Sequence, residues 1–276
     1  MRIWAILAVA PVIAAGQTIS FLQMSDTQFG MYTDNKDFAQ ETANFEFVVA
    51  NANRLKPRFI VVCGDLVNKP GDADQIAEFH RVAKRLAPGI DLHAVAGNHD
   101  VGNTPTPDSL AQYRKNFGAD YYTFSLPDFE GIVLDSSLIQ HPEGAPDEAE
   151  KQEKWLEAEL AKAKQAATKS VIVFQHIPFF VTKPDEPDDY FNIPRAARGR
   201  YLELLKRFGI QFVFAGHLHR NSSGESGSLH MITTGPVGKP LEGGSSGFRI
   251  VQIDSAGLKQ QFVDFAHLPN QLTDAR

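Results

Sequence analysis

Short apolar runs alternate along the chain with longer stretches in which apolar and polar positions recur at amphipathic spacing. Thr18–Met24, Arg58–Cys63, Leu92–Ala96, Gly131–Asp135, Val171–Gln175 and Gln211–Ala215 read as buried strands. Between them, Asp37–Leu55, Asp74–Leu86, Pro107–Phe117, Glu148–Ala167 and Pro194–Phe208 read as helices. Pro88-Gly89 closes the second, Asp108 or Ser109 suits the cap of the third, and Pro194 suits a first helical position. From Ser228 the pattern changes to short strand-like pieces, Leu229–Thr233, Phe248–Ile253 and Gln260–Phe265, separated by Gly and Ser. No Pro/Gly linker divides the chain and no segment repeats. Strand–helix alternation with a β-rich tail predicts one layered α/β domain over residues 17–276.

The first sixteen residues stand apart. Arg2, the apolar run Ile3–Ile13 and the small residues Ala14-Ala15-Gly16 form the pattern of a signal peptide cut before Gln17. The alternative is a buried first strand or helix. The run is shorter than the roughly 20 apolar residues that cross a bilayer. No second apolar run of that length follows, so no transmembrane segment is expected in the mature chain. No cysteine lies nearby to carry a lipid anchor.

Composition narrows the chemistry. At 43% hydrophobic and 22% charged, the 276-residue chain has the balance of a globular protein with a full core, not of a disordered or fibrous one. Cys63 is the only cysteine, which excludes an internal disulfide and a thiolate zinc site. The net charge of -6 argues against a nucleic-acid polymer as partner, since that requires a basic face.

Five apolar runs stop at polar clusters: Ser25-Asp26-Thr27-Gln28, Gly64-Asp65, Gly97-Asn98-His99-Asp100, Gln175-His176 and Gly216-His217-Leu218-His219. Strand carboxyl ends in open α/β sheets share a crevice, so these clusters are candidates to converge. Asp26 and Gln28, like His217 and His219, are two residues apart and would face one side of an extended backbone. Glycines before Asp65, Asn98 and His217 allow sharp departures and close backbone approach. Carboxylate, amide and imidazole donors without thiolate suit two hard or borderline ions: Mn²⁺, Fe, Zn²⁺ or Mg²⁺.

The succession Asp-x-Gln, Gly-Asp, Gly-Asn-His-Asp, His and Gly-His-x-His resembles the calcineurin-like metallophosphoesterases over nearly all of the mature chain. Glutamine at position 28, where the superfamily usually has histidine, resembles the calcineurin-like phosphoesterase domain-containing protein 1 branch. So do Gly102–Thr106, Gln175–Pro178 and Pro184–Asn192. The resemblance implies a four-layer α/β/β/α sandwich with two mixed sheets. It implies that Asp65 bridges two metals, with Asp26, Gln28 and His219 completing the first and Asn98, His176 and His217 the second. It further implies hydrolysis of phosphate esters, with Ser/Thr phosphoproteins among the branch's substrates. Hydroxide shared by the two metals would attack phosphorus in line. His99 would face the substrate as general acid. The aspartate that orients this histidine in protein-phosphatase relatives is replaced by Asn68, which orients without charge, and Asp100 is a candidate to compensate. Gln28, a neutral oxygen donor, would favour Mn²⁺ or Mg²⁺ over Zn²⁺; a water-mediated role is the alternative.

A phosphomonoesterase is the leading expectation. The rivals are a phosphodiesterase on cyclic nucleotides or phospholipid head groups, and a non-catalytic scaffold of the same fold. Asn98, and Tyr190 and Asn192 in the acidic segment 185–192, are candidate substrate contacts; a solvated acidic surface is the alternative for that segment. Phe179 and Phe180 read as core or wall residues. Gly243–Gly247 matches a serine-hydrolase elbow, but lacks the strand before and the helix after that the turn requires. Asn221-Ser222-Ser223 reads as a chance glycosylation sequon. Met1–Gly16 points to a secreted or periplasmic protein, while the branch resemblance points to the cytoplasm.

Overall fold

A computed structural model describes residues 18–241 and 244–272. The expected signal peptide lies outside the described residues. The chain runs through β1 (Ile19–Met24), α1 (Ala39–Leu55), β2 (Phe59–Cys63), α2 (Ala73–Ala83), β3 (Asp91–Val95), α3 (Asn98–Val101) and α4 (Pro107–Phe117). It continues through β4 (Tyr122–Leu126), β5 (Phe129–Val133), α5 (Ser136–Gln140), α6 (Pro146–Gln165), β6 (Ser170–Phe174) and α7 (Arg195–Arg207). It ends with β7 (Phe212–Ala215), β8 (Ser222–Ser226), β9 (Leu229–Thr233), β10 (Gly247–Asp254) and β11 (Gly257–Asp264).

The strands form two mixed sheets, in the orders β11-β10-β1-β2-β3 and β4-β5-β6-β7-β9-β8. In the second sheet the parallel strands lie inside and antiparallel β4 and β8 close the two edges; in the first, parallel β3 forms one edge and the antiparallel pair β10-β11 the other. Alternation along the strands builds the layers. Phe21, Phe59, Val61 and Val251 of the first sheet meet Phe129, Phe174 and Phe214 of the second. Phe21 and Phe59 stack at 4.7 Å, and Phe21 meets Phe174 edge-on at 5.8 Å. Their neighbours Leu22, Ile60 and Val62 face outward onto Phe45, Val48 and Phe79 of α1 and α2. On the far side Ile132, Val173 and Val213 face Leu156, Leu160, Tyr201 and Leu205 of α6 and α7. The result is the expected four-layer α/β/β/α sandwich in one domain. Phe179 and Phe180 are fully buried in that second outer layer.

The differences from the sequence reading are local. Helix α2 stops at Ala83, because Arg85 and Leu86 donate to Val82 and Ala83 three residues back and tighten the last turn. Thr106, not Asp108 or Ser109, caps α4; its hydroxyl and that of Ser109 each accept the other residue's backbone N–H. Pro194 is the cap of α7 and Arg195 its first helical residue. The fourth apolar run ends earlier than expected, since Asp135 turns to cap α5 by accepting from Ser137 and Leu138 N–H. No helix among the described residues is long and apolar enough to cross a membrane.

Candidate metal centre

All five strand-end clusters meet at the carboxyl edge of the two sheets. Asp65, His176 and His217 bring ligand atoms within 4.8 Å of one another, and so do Asp26, Asp65 and His219. Asp65 belongs to both groups. These residues are 0–5% exposed. His80, His93, His141, His230 and His267 lie outside both groups.

The local backbone differs from the extended geometry expected for the paired residues. Asp26, Gln28, Asp65, His217 and His219 all have positive φ, between 38° and 73°. Non-glycine residues rarely adopt this region, and five at one site mark a strained cradle held by its surroundings. The pairs do share the site, through left-handed kinks at alternate residues and not through strand alternation. Among the preceding glycines, Gly64 alone has the left-handed φ that only glycine adopts cheaply. Gly97 and Gly216 contribute close approach: a Cβ would strike Asp65 in the first case and Ser25 in the second.

Each imidazole of the cluster is anchored through one nitrogen on a main-chain carbonyl. His176 Nδ1 donates to Cys63 O at 2.7 Å, His217 Nε2 to Tyr190 O at 3.1 Å and His219 Nδ1 to Lys239 O at 2.6 Å. The other nitrogen of each is thereby turned to the cluster, the arrangement that orients metal-binding histidines. Asn98 is fixed likewise: Nδ2 donates to Asn103 Oδ1 and to the Tyr190 hydroxyl, which leaves Oδ1 3.1 Å from His176 Nε2.

The donor set fits cations. His176 Nε2 lies 3.2 Å from Asp65 Oδ2, 3.1 Å from Asn98 Oδ1 and 3.2 Å from His217 Nδ1. One proton on Nε2 satisfies one of those three lone-pair atoms, whereas a cation among them satisfies all. In the other half, Asp26 Oδ1 and Gln28 Oε1 are buried without a hydrogen-bond partner, although His219 Nε2 stands 3.4 Å from Asp26. Buried acceptors of this kind require a donor or a cation.

Charge follows the same division. Burial works against charge on Asp65, yet His176 beside it holds its carboxyl well below the usual range. Burial alone would lower His176, but ionised Asp65 outweighs it and raises the imidazole to about 9. Burial, reinforced by His176, pushes His217 down to about 3. Asp26 is raised by burial. Cys63 is a buried thiol pushed up to about 12, and only its carbonyl serves the site.

His99 sits beside the cluster. Its backbone N–H donates to Asp65 Oδ1 at 2.9 Å, and its ring Nδ1 donates to the Asn68 carbonyl at 2.9 Å. The orienting group is therefore the main chain of Asn68; the side chain expected in that role points to Gln28 and Asn35. Asp100 does not compensate at the ring. Its carboxylate accepts from Leu66, Val67 and Gly97 N–H and ties the β2 and β3 ends together. Burial and Asp65 push that carboxyl up to about 8, against the pull of these bonds.

The segment 185–192 is a built rim. Glu186 accepts from the N–H groups of Val181, Thr182 and Lys183, while the buried Arg198 donates to the Pro184, Glu186 and Ile193 carbonyls. Tyr190, 49% exposed, stands at the mouth with its ring 4.8 Å from that of His217. Asn192 is buried, and its amide is spent within the rim on Asp189, Glu186 and Pro187. It is not presented to the site. Asn221 accepts from Arg249 and Gly235, so its side chain belongs to the fold. The residues missed in sequence were Asn103 and the carbonyl bearers Cys63 and Lys239; Tyr190 was a candidate, but for its side chain and not for the carbonyl that holds His217. Asn103 alone carried a signal, by following the Gly-Asn-His-Asp block.

The pattern that defines the calcineurin-like phosphoesterases matches residues 19–221. The Serine/threonine-protein phosphatase CPPED1 of Danio rerio is 35% identical over 269 residues, covering 92% of this chain and 86% of that protein. The human protein of the same name is 33% identical over 264 residues, covering 90% and 84%. Among solved structures, a dimetal phosphatase from Danio rerio superposes with a TM-score of 0.57 at 17% identity, covering 90% of this chain and 99% of that one.

Proposed function

The chain belongs to the calcineurin-like phosphoesterase family, and from that premise we propose that it hydrolyses phosphomonoesters, phosphoserine and phosphothreonine in proteins among them, at a two-metal centre. In this reading Asp65 is the shared ligand, Asp26, Gln28 and His219 hold the first ion, and Asn98, His176 and His217 hold the second. The observation that carries it is the membership of Asp65 in both buried ligand groups. Two bound divalent ions would supply an activated water as nucleophile and neutralise the phosphoryl oxygens.

The residues supply orientation and proton transfer. The His99 backbone N–H holds one Asp65 oxygen, and the His176 ring lies against the other. The Asn68 carbonyl keeps the His99 proton on Nδ1, so that a second proton on Nε2 is available for the leaving oxygen. That role predicts a leaving-group signature. His99→Asn should slow an alkyl phosphate by about a hundredfold or more, and slow p-nitrophenyl phosphate much less, because nitrophenolate leaves unprotonated. Equal losses on both substrates would contradict the role.

Chelator-stripped enzyme assayed on a chromogenic monoester and the matching diester, with Mn²⁺, Zn²⁺, Mg²⁺ or Fe²⁺ restored, tests the reaction itself. Monoester turnover recovered best with Mn²⁺ is expected, because Gln28 offers an oxygen where imidazole would favour Zn²⁺. Preference for the diester would contradict the monoester reading. We further propose that Met1–Gly16 directs export. N-terminal sequencing of the mature protein is expected to begin at Gln17; an intact Met1 in cytoplasmic protein would overturn this.

A further inference from the structure

Gln28 differs from the histidines around it in one respect. An imidazole whose other nitrogen is anchored presents a nitrogen to the metal, whereas a primary amide presents either an oxygen lone pair or two N–H groups, depending on which way it is turned. Gln28 serves a cation only with Oε1 inward. Its surroundings decide this. Gln75 of α2 is buried, and its Oε1 accepts from the backbone N–H groups of Asn68 and Lys69, both at 3.0 Å. Backbone donors cannot invert, so Gln75 Nε2 must face the other way, where it donates to Asn35 Oδ1 at 2.9 Å. The same Asn35 oxygen accepts from Asn68 Nδ2 at 2.8 Å. Asn68 Oδ1 is thereby turned to Gln28 and accepts from its Nε2 at 3.2 Å. What remains is Gln28 Oε1, buried and without a partner. Space for the relay is reserved by Gly30, where a Cβ would come within 2.7 Å of Gln75 Nε2 and 2.8 Å of Asn35 Oδ1.

We propose that Asn68, Asn35 and Gln75 are positioning residues: a relay of four amides, anchored on two backbone N–H groups, that presents the oxygen of Gln28 to the first metal. The proposal rests on the reading of Gln28 as a ligand. It identifies Asn35 and Gln75, neither of which touches the centre, as determinants of metal affinity.

The test is calorimetric titration of the chelator-stripped full chain with Mn²⁺, with thermal melting as the check on folding. Gln75→Glu keeps the size of the side chain and its acceptors for the two backbone N–H groups, but has no proton for Asn35. Asn35 then turns Nδ2 toward it, Asn68 inverts in response, and Gln28 is left with NH₂ toward the metal. One of two binding events should weaken about tenfold or more, the range seen when groups behind a ligand are removed, while the other holds. An added carboxylate acting only by its charge would strengthen cation binding, so the sign separates the two causes.

Asn35→Gly removes the middle link at a residue whose φ is 63°, where glycine is at ease. It should weaken the same event by a smaller factor, and it carries the test should Gln75→Glu fold poorly. In a Gln28→Ala background, Gln75→Glu should have no further effect. If Gln28→Ala binds two Mn²⁺ as tightly as the unmodified protein, the ligand reading fails and the relay with it. If Gln28→Ala is weakened while folded Gln75→Glu and Asn35→Gly both bind normally, the relay alone is overturned.

Discussion

On the side of His176 and His217 two of the three candidate ligands hang on main-chain carbonyls, of Cys63 and Tyr190, which cannot change polarity, while the third, Asn98, is held by the Asn103 amide oxygen and the Tyr190 hydroxyl. On the side of Gln28 the ligand hangs on a side-chain amide, which can invert, and which needs further side chains to hold its direction. His219, anchored on the Lys239 carbonyl, gives the first half one ligand of the rigid kind. The contrast teaches that a buried site tolerates change around ligands fixed by backbone, and is sensitive to change far from ligands fixed by side chains.

Four substitutions break or sharpen this comparison. Asp65→Asn removes the charge shared by both halves and should cost kcat/KM at least about a thousandfold, about 4 kcal/mol; steady-state kinetics on a phosphomonoester reads it. Gln28→His converts the amide half to the imidazole kind. The preferred activating metal should move from Mn²⁺ toward Zn²⁺ by roughly tenfold in relative affinity, as read in competition titrations. Tyr190→Phe removes the hydroxyl that accepts from Asn98 but keeps the carbonyl that holds His217. One neutral hydrogen bond is worth about 1 kcal/mol, so kcat/KM should fall by a small factor only, with metal content intact.

The smallest effect on the centre comes from Asp135, behind the second half, where burial and then Asp120 push the carboxyl up to about 7. Below about pH 4 both folded and unfolded chains hold this proton. Between about 4 and 7 the folded chain keeps it while the unfolded chain has lost it. The resulting stabilisation is present in full at the acid end and disappears as pH rises through 7, with a slope of at most about 1.4 kcal/mol per pH unit. Asp135→Asn, which keeps an oxygen for the cap of α5, should melt higher relative to the unmodified protein as pH rises across this window. A difference independent of pH would refute the shift.

Much of this was legible in sequence because apolar runs and the residues that end them are both visible in one dimension. The strands that carry the site are parallel, and all but the edge strand β3 are largely buried, so they appear as continuous runs, and the Asp, His and Asn that follow them stand out. β4 and β8 were not anticipated. The first is a half-buried hairpin arm, and the second, Ser-Ser-Gly-Glu-Ser, is an edge strand with no apolar face of its own. The site was legible as a set of donors but not as a geometry. Positive φ at Asp26, Gln28, Asp65, His217 and His219 has no sequence mark, and the carbonyls of Cys63, Tyr190 and Lys239 are independent of residue type. Asn35 and Gln75 look like ordinary turn and helix residues until the fold brings them beside Asn68.

The central claim is that Asp65 stands between two metal ions, one for each half. Anomalous diffraction from crystals of the Mn²⁺-loaded protein tests it most directly. The expected result is two manganese peaks about 3.5–4 Å apart, with one Asp65 oxygen contacting both and Gln28 Oε1 contacting the ion on the Asp26 side. A single peak, or two peaks with Asp65 bound to only one, would contradict it.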